Sequence, residues 1–357
     1  MNSKFKFALA VSVAATLAAC GGGGGGSTTA ATPTPPVVTP PVVVPPTVTP
    51  ADLQTSVPAL TYPANSPEFA FVTAYNNFRS QVGLGLLAQN ASLDKAAANH
   101  VKYVTTNALT NGGTVDMSAI NATYNMPNFH VEDAAKVGFT GILPNDRAAF
   151  AGYKASYVGE NGTYGNGSGG ALAFASLLAT VYHRQGLMYQ APRDIGIVVG
   201  TDQFQTTSEM VGYQVTGQSN AGDYVGTYPV DTQTLVPLFA GFETPNPFAD
   251  IKDNTRDNVA ANTSYPITVS AKEFTTLAVT TFTVTEAGQT APLKVRLITN
   301  ATDSAITAWN AMIVGFVPFK PNTKYNVSFV GTVNGANVVK AWSFTTASSC
   351  INLASCK

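Results

Sequence analysis

The sequence predicts an α+β fold: an α-β-α sandwich followed by a β-sandwich. Three observations carry it. Apolar residues recur at helical spacing in several segments between Pro67 and Tyr182. Two β-branched runs, 195–199 and 210–215, then supply a small antiparallel sheet with helices on both sides. From Asp223 onward, short β-type runs separated by turn residues replace the helical pattern.

The chain has 357 residues, 45% hydrophobic and 11% charged, with a formal net charge of −1. That length allows about two domains of ~150 residues beyond the N-terminus. The near-neutral balance excludes a basic footprint for nucleic acid. Lys4 and Lys6 precede an apolar stretch from Phe7 to Leu17 that is too short for a membrane span. It ends in Leu17-Ala18-Ala19-Cys20, which resembles a bacterial lipobox. That resemblance implies a lipid thioether on Cys20 and a cell-envelope location, in the outer membrane where the source has one. A plain secretory signal with a chance cysteine is the competing reading. Residues 21–60 follow as a Gly- and Pro-rich linker, flexible at first and then favouring polyproline II.

The first folded domain is expected over 61–220. Ser66-Pro67-Glu68 is a helix start, and Phe69, Val72, Tyr75, Phe78 and Val82 continue it. A second helix is expected over 92–104, a short one over 144–151 and another over 171–182. The stretch 161–170, nearly all Gly, Asn, Ser and Thr, predicts a loop. The run 195–199 is almost continuously apolar, which predicts a central strand. Over 223–347, six strands are expected at 267–270, 280–285, 293–298, 312–316, 324–330 and 338–345. Asn334-Gly335 predicts a type I′ hairpin turn. Together they suggest an immunoglobulin-like sandwich, with Tyr325 either a tyrosine corner or an ordinary core residue. The tail 348–357 carries Cys350 and Cys356. These suit a small-loop disulfide, or an intermolecular or unpaired thiol.

Several pieces in order resemble the superfamily of cysteine-rich secretory proteins, antigen five and pathogenesis-related-one proteins, the CAP or SCP-like domains. They are Tyr75-Asn76-Asn77-Phe78-Arg79 with Gly83-Leu84, Leu93 to His100, Asp146 to Tyr153 leading into Gly159-Glu160-Asn161, and His183 to Met188 leading into Ile195 to Gly200. The resemblance covers about 62–217. It implies an α-β-α sandwich with a cleft holding two His and two acidic residues, with a divalent metal in some members. Carried over, His130, Glu160 and His183 match three of the four. The second acid is absent from its usual place, where Glu132 or Asp133 is a substitute.

Two imidazoles and a carboxylate are a zinc or other divalent-cation set with an open position. They are equally an acid–base set without metal. Against both stand structural readings: Glu160 anchoring its loop, His183 capping the end of its helix. His100, on a largely apolar helix face, reads as a satisfied core or surface histidine. Asn161 and Arg184 brace loops. No nucleophile elbow, phosphate loop or HExxH helix is present. The expectation is a lipid-anchored protein binding a small hydrophobic ligand or peptide, without catalysis. The alternative is a metal-assisted hydrolase using the His130, Glu160 and His183 cleft.

Overall fold

A computed structural model describes residues 49–109, 117, 119–164, 170–202 and 205–350. The lipobox cysteine, nearly all of the linker before Thr49 and the tail cysteine Cys356 lie outside the described residues. Cys350 is disulfide-bonded.

Helix α1, Pro67–Gln81, starts where its cap predicts: the Ser66 hydroxyl accepts the Phe69 N–H. It buries Phe71, Val72, Tyr75 and Phe78. Strand β1, Ala88–Gln89, leads into α2, Ala91–Val104. The Asn90 side chain accepts the Ser92 and Leu93 N–H groups, which moves the start of α2 one residue earlier than expected. A short hairpin of β2, Ile120–Asn121, and β3, Met126–Pro127, precedes α3, Pro144–Phe150.

Two corrections follow. Glu160 and Asn161 do not lie in a loop: Tyr157–Thr163 is strand β4, paired in register with β6, Thr207–Tyr213. Its Gly- and Asn-rich composition argues against a strand, but ladder pairing and the burial of alternate side chains override that weak preference. The single helix expected over 171–182 is broken into α4, Gly170–Leu178, and α5, Tyr182–Leu187. His183 therefore sits in the first turn of a new helix, not at the end of an old one.

Strand β5, Asp194–Val199, is central in the order β1-β5-β6-β4. One face of this sheet packs Met210 against Leu93, Ala96 and Ala148 of α2 and α3. The other packs Ile195, Ile197 and Val211 against α1, α4 and the end of α5. This is the expected sandwich. Gly196 permits it: a Cβ there would meet the Asp94 N and the Leu93 C at 2.2 Å.

The C-terminal region has two four-stranded sheets. Their strands are β7, Val225–Tyr228; β8, Gln233–Val236; β9, Ile267–Ala271; β10, Leu277–Glu286; β11, Val295–Thr299; β12, Asn310–Gly315; β13, Lys324–Val333; and β14, Ala336–Thr346. The orders are β10-β13-β14-β8 and β11-β12-β9-β7. All six expected strands form. β7, β8 and helix α6, Arg256–Ala261, were not anticipated, being short and weakly patterned. Asn334 and Gly335, at φ 48° and 84°, close the β13–β14 hairpin. The Tyr325 hydroxyl accepts the Lys320 N–H at 2.9 Å, the bond expected of a tyrosine corner.

Thr47–Lys357 is one compact unit, and its two regions share an apolar cluster that includes Phe78 and Tyr228. The α4–α5 break is one point of contact. Glu243, from the irregular segment after β8, accepts the Val181 N–H at 2.6 Å, the Tyr182 N–H at 3.1 Å and the His183 N–H at 3.3 Å. This carboxylate caps α5 and fixes where it begins. Arg184 is buried among C-terminal residues. Its Nη1 donates to the Pro266 carbonyl, and its plane lies 4.4 Å from the Tyr265 ring and 5.0 Å from the Tyr228 ring. Arg184 thus joins the two regions rather than bracing a loop beside the cleft.

Candidate functional site

On the α2–α3 face of the sheet, four residues of the His and Glu types meet around an arginine. Strand β4 aims Glu160 inward, where Ser208 of β6 donates to its Oε1 at 3.1 Å. His130, at the end of a short 3₁₀ turn, donates from Nδ1 to Glu160 Oε2 at 2.8 Å. Arg147 of α3 donates from Nη2 to the same oxygen at 2.7 Å, and from Nη1 to the His130 and Ile142 carbonyls. His100 of α2 lies with Nε2 3.8 Å from Glu160 Oε1.

His100 is fully buried and satisfied, as expected, but it is also part of this centre. Its Nδ1 meets Glu132 Oε1 at 2.9 Å and its Nε2 meets the Phe129 carbonyl at 2.8 Å. The Phe129 carbonyl can only accept, so Nε2 carries a hydrogen, while Nδ1 faces the Glu132 carboxyl. Glu132 is held on its other oxygen by the Thr140 N–H at 2.7 Å. Two buried carboxyls thus share the Arg147 guanidinium and the His100 ring. Burial pushes the Glu160 carboxyl upward. The Arg147 charge, the His100 charge and the His130 hydrogen bond outweigh it and hold Glu160 well below the usual carboxylate range.

His130 is the open member of the group. Its side chain is 18% exposed and its Nδ1–H is spent on Glu160. Its Nε2 has no hydrogen-bond partner among the described residues and can accept one from a ligand.

His183 does not join them. Residues alternate across a strand. Glu160 shares its face with Ser208 and His100. Asn161 points to the opposite face, where it donates to Glu209 at 2.7 Å and lies 3.2 Å from the Cβ position of Gly186 in α5. α5 therefore lies across the sheet from Glu160. The His183 Nδ1 is 3.0 Å from Glu243 Oε2 and 3.1 Å from the Thr180 hydroxyl. The grouping of His130, Glu160 and His183 is corrected to His100, His130, Glu132 and Glu160. The reason is the break between α4 and α5, which hands His183 to the C-terminal region.

Zinc needs four ligand atoms with free lone pairs, or three and a water. Both Glu160 oxygens accept from protein donors, both His100 ring nitrogens are engaged by protein groups, and Arg147 puts a fixed cation beside the carboxyls. His130 contributes a single nitrogen. The residues do not fit the metal, and among the described residues no group of three His, Cys, Asp or Glu is arranged to hold one.

Beside this centre lies a groove of about 490 Å³. Tyr103, Val104, Met117, Tyr124, Val131 and Ile142 give it apolar walls, with Asn107, Asn121, Asp133 and Lys136 among its polar lining. Glu132 connects groove and centre. Glu209, on the opposite face, is a buried carboxyl that sequence reasoning missed. Burial first, and the Glu160 charge, push it up to about 8 against the Asn161 hydrogen bond. Arg147 and Ser208 were missed as well. Nothing local marks Arg147, because its partner Glu160 comes from a different element.

Residues 72–216 match the model of the cysteine-rich secretory protein family, CAP. The chain therefore carries a CAP domain. Among solved structures it is similar to an extracellular protein containing an SCP domain from Bacillus anthracis str. Ames. That match has 18% identity and a TM-score of 0.32, over 41% of this chain and 40% of that one. It is also similar to an outer surface protein from Borrelia burgdorferi, at 14% identity and a TM-score of 0.31, over 42% of this chain and 95% of that one. The chain thus spans well under half of the Bacillus protein. No curated protein matches it.

Proposed function

We propose that this CAP-domain protein is a lipid-anchored component of the bacterial cell envelope that binds a small hydrophobic ligand, a lipid or a peptide, without transforming it. The observation that carries the reading is the groove beside the polar centre. Glu132, held by His100, is the member of the centre that reaches it, and the rest of its lining mixes apolar and polar side chains. A groove of this size, with apolar walls and a few placed polar groups, has the usual character of a small-ligand site. Anchoring rests on Cys20 and the lipobox resemblance.

Native mass spectrometry of the full chain tests the binding reading. A bound mass that is lost in Val104→Arg, which fills the groove, supports it. A protein that carries and transfers nothing from a lipid extract or a peptide digest counts against it. Cys20→Ser releases the protein into the soluble fraction if the anchor is correct.

The second reading is hydrolysis. One observation favours it: His130 is oriented by Glu160 with Nε2 free, the arrangement of a general base. Peptide or ester turnover lost in His130→Gln, with binding retained, would select it.

A further inference from the structure

A row of aromatic side chains, four of them half-buried and Phe274 exposed, lies where the two regions meet, apart from the His130–Glu160 centre. Tyr213 and Tyr157 face each other across β6 and β4, with ring centroids 5.8 Å apart and planes 20° apart. Tyr189, just after α5, continues the row at 5.7 Å with its plane 4° from that of Tyr157. Trp309, before β12, follows at 6.2 Å, and Phe274, in the β9–β10 turn, lies 5.3 Å beyond it.

Three features distinguish this row from scattered surface aromatics. The Tyr157, Tyr189 and Tyr213 hydroxyls and the Trp309 indole N–H have no protein hydrogen-bond partner among the described residues, and none is sealed from solvent. Phe274 has φ 65°, a left-handed conformation unusual for a bulky residue, yet its ring is 83% exposed. Strain kept at an exposed aromatic is a mark of function. The neighbouring charged side chains are also held by protein partners. Glu273 accepts the Gln190 and Ala191 N–H groups, and Lys272 donates to the Ser219 hydroxyl at 2.6 Å.

We propose that this row is a binding platform for an extended, uncharged glycan. A pyranose ring has flat C–H faces and a rim of hydroxyls. Aromatic faces carry the negative quadrupole that attracts C–H groups, and the free O–H and N–H groups meet the hydroxyls. Neighbouring rings 5.3–6.2 Å apart present successive contacts to a chain rather than a pocket to a single sugar. Glu273 and Lys272 flank the row with side chains of opposite type, so the platform has no single sign of charge to select an anionic lipid surface. The Gln190 side chain, donating to the Ala271 carbonyl at 2.8 Å, holds the two halves of the row in register.

The test is affinity electrophoresis of the full chain in gels containing hydroxyethylcellulose, glycol chitin or soluble starch. Calorimetry with the matching hexasaccharide follows. At least one polymer retards the parent, and Trp309→Ala and Tyr157→Ala each weaken binding about tenfold. Phe274→Gly weakens it while leaving the thermal midpoint unchanged or higher, because glycine accepts φ 65° freely. Phe150→Ala, at an exposed aromatic outside the row, binds like the parent. Migration unaffected by all three polymers overturns the proposal. So does binding that the row variants leave intact. Row-dependent binding confined to phosphatidylcholine vesicles also overturns it, in favour of a membrane contact.

Discussion

Replacing Glu243 by alanine tests how the C-terminal region holds the CAP domain. The buried carboxylate accepts three consecutive backbone N–H groups at the start of α5 and pairs with the His183 ring. Alanine leaves those donors without an acceptor, in a place where water has little access. Loss of a helix cap alone costs about 1 kcal/mol. Losing charge-assisted bonds to buried donors raises the figure to roughly 3–5 kcal/mol, the range for breaking a buried ion pair. Glu243→Gln keeps a carbonyl acceptor and should lose about half as much. Urea unfolding followed by tryptophan fluorescence measures both. Both tryptophans, Trp309 and Trp342, lie in the C-terminal region, so circular dichroism should report the CAP helices in parallel. The two signals should move together. An alanine variant within about 0.5 kcal/mol of the parent would refute the capping argument.

Arg184→Lys, measured in the same way, should cost about 2–4 kcal/mol, because lysine cannot both stack on Tyr265 and reach the Leu178 and Pro266 carbonyls. Gly196→Ala should lift α2 from the sheet and lower stability by several kcal/mol, seen as a large drop in the urea midpoint. The two buried carboxyls of opposite faces should give opposite pH dependences. Glu160 is depressed in the folded state. Its contribution is present above the ordinary carboxylate value of 4.5 and is lost as pH falls below it, a slope that Glu160→Gln flattens. Glu209 is raised, so the folded state holds its proton more tightly. Stability should decline as pH rises from 4.5 to about 8, and Glu209→Gln should remove that decline in unfolding curves collected across the range.

Much of this architecture was legible before any coordinates. Ser66-Pro67-Glu68 marked the start of α1 because a cap is a local event, and Asn334-Gly335 marked a hairpin for the same reason. The C-terminal strands were visible in their alternation. What the sequence hid was decided by contacts between distant segments. Nothing local shows that Ala179 to Val181 break a helix, because the cap that stabilises the break comes from Glu243, about sixty residues on. Nothing local shows that Glu160 is in a strand, because β6 supplies the pairing. His100 was judged correctly as a buried, satisfied residue. Its place in the polar centre was hidden because Glu132 and Phe129, which satisfy it, belong to an irregular segment whose path has no sequence period.

The account rests on a polar centre completed by His100 and Arg147 on one face of the sheet, with His183 on the other. A calorimetric zinc titration of the full chain, repeated on His130→Ala and His183→Ala, tests this most directly. The account predicts no saturable site that both variants abolish. A single stoichiometric site lost in each variant would place the two imidazoles on one ion and contradict it.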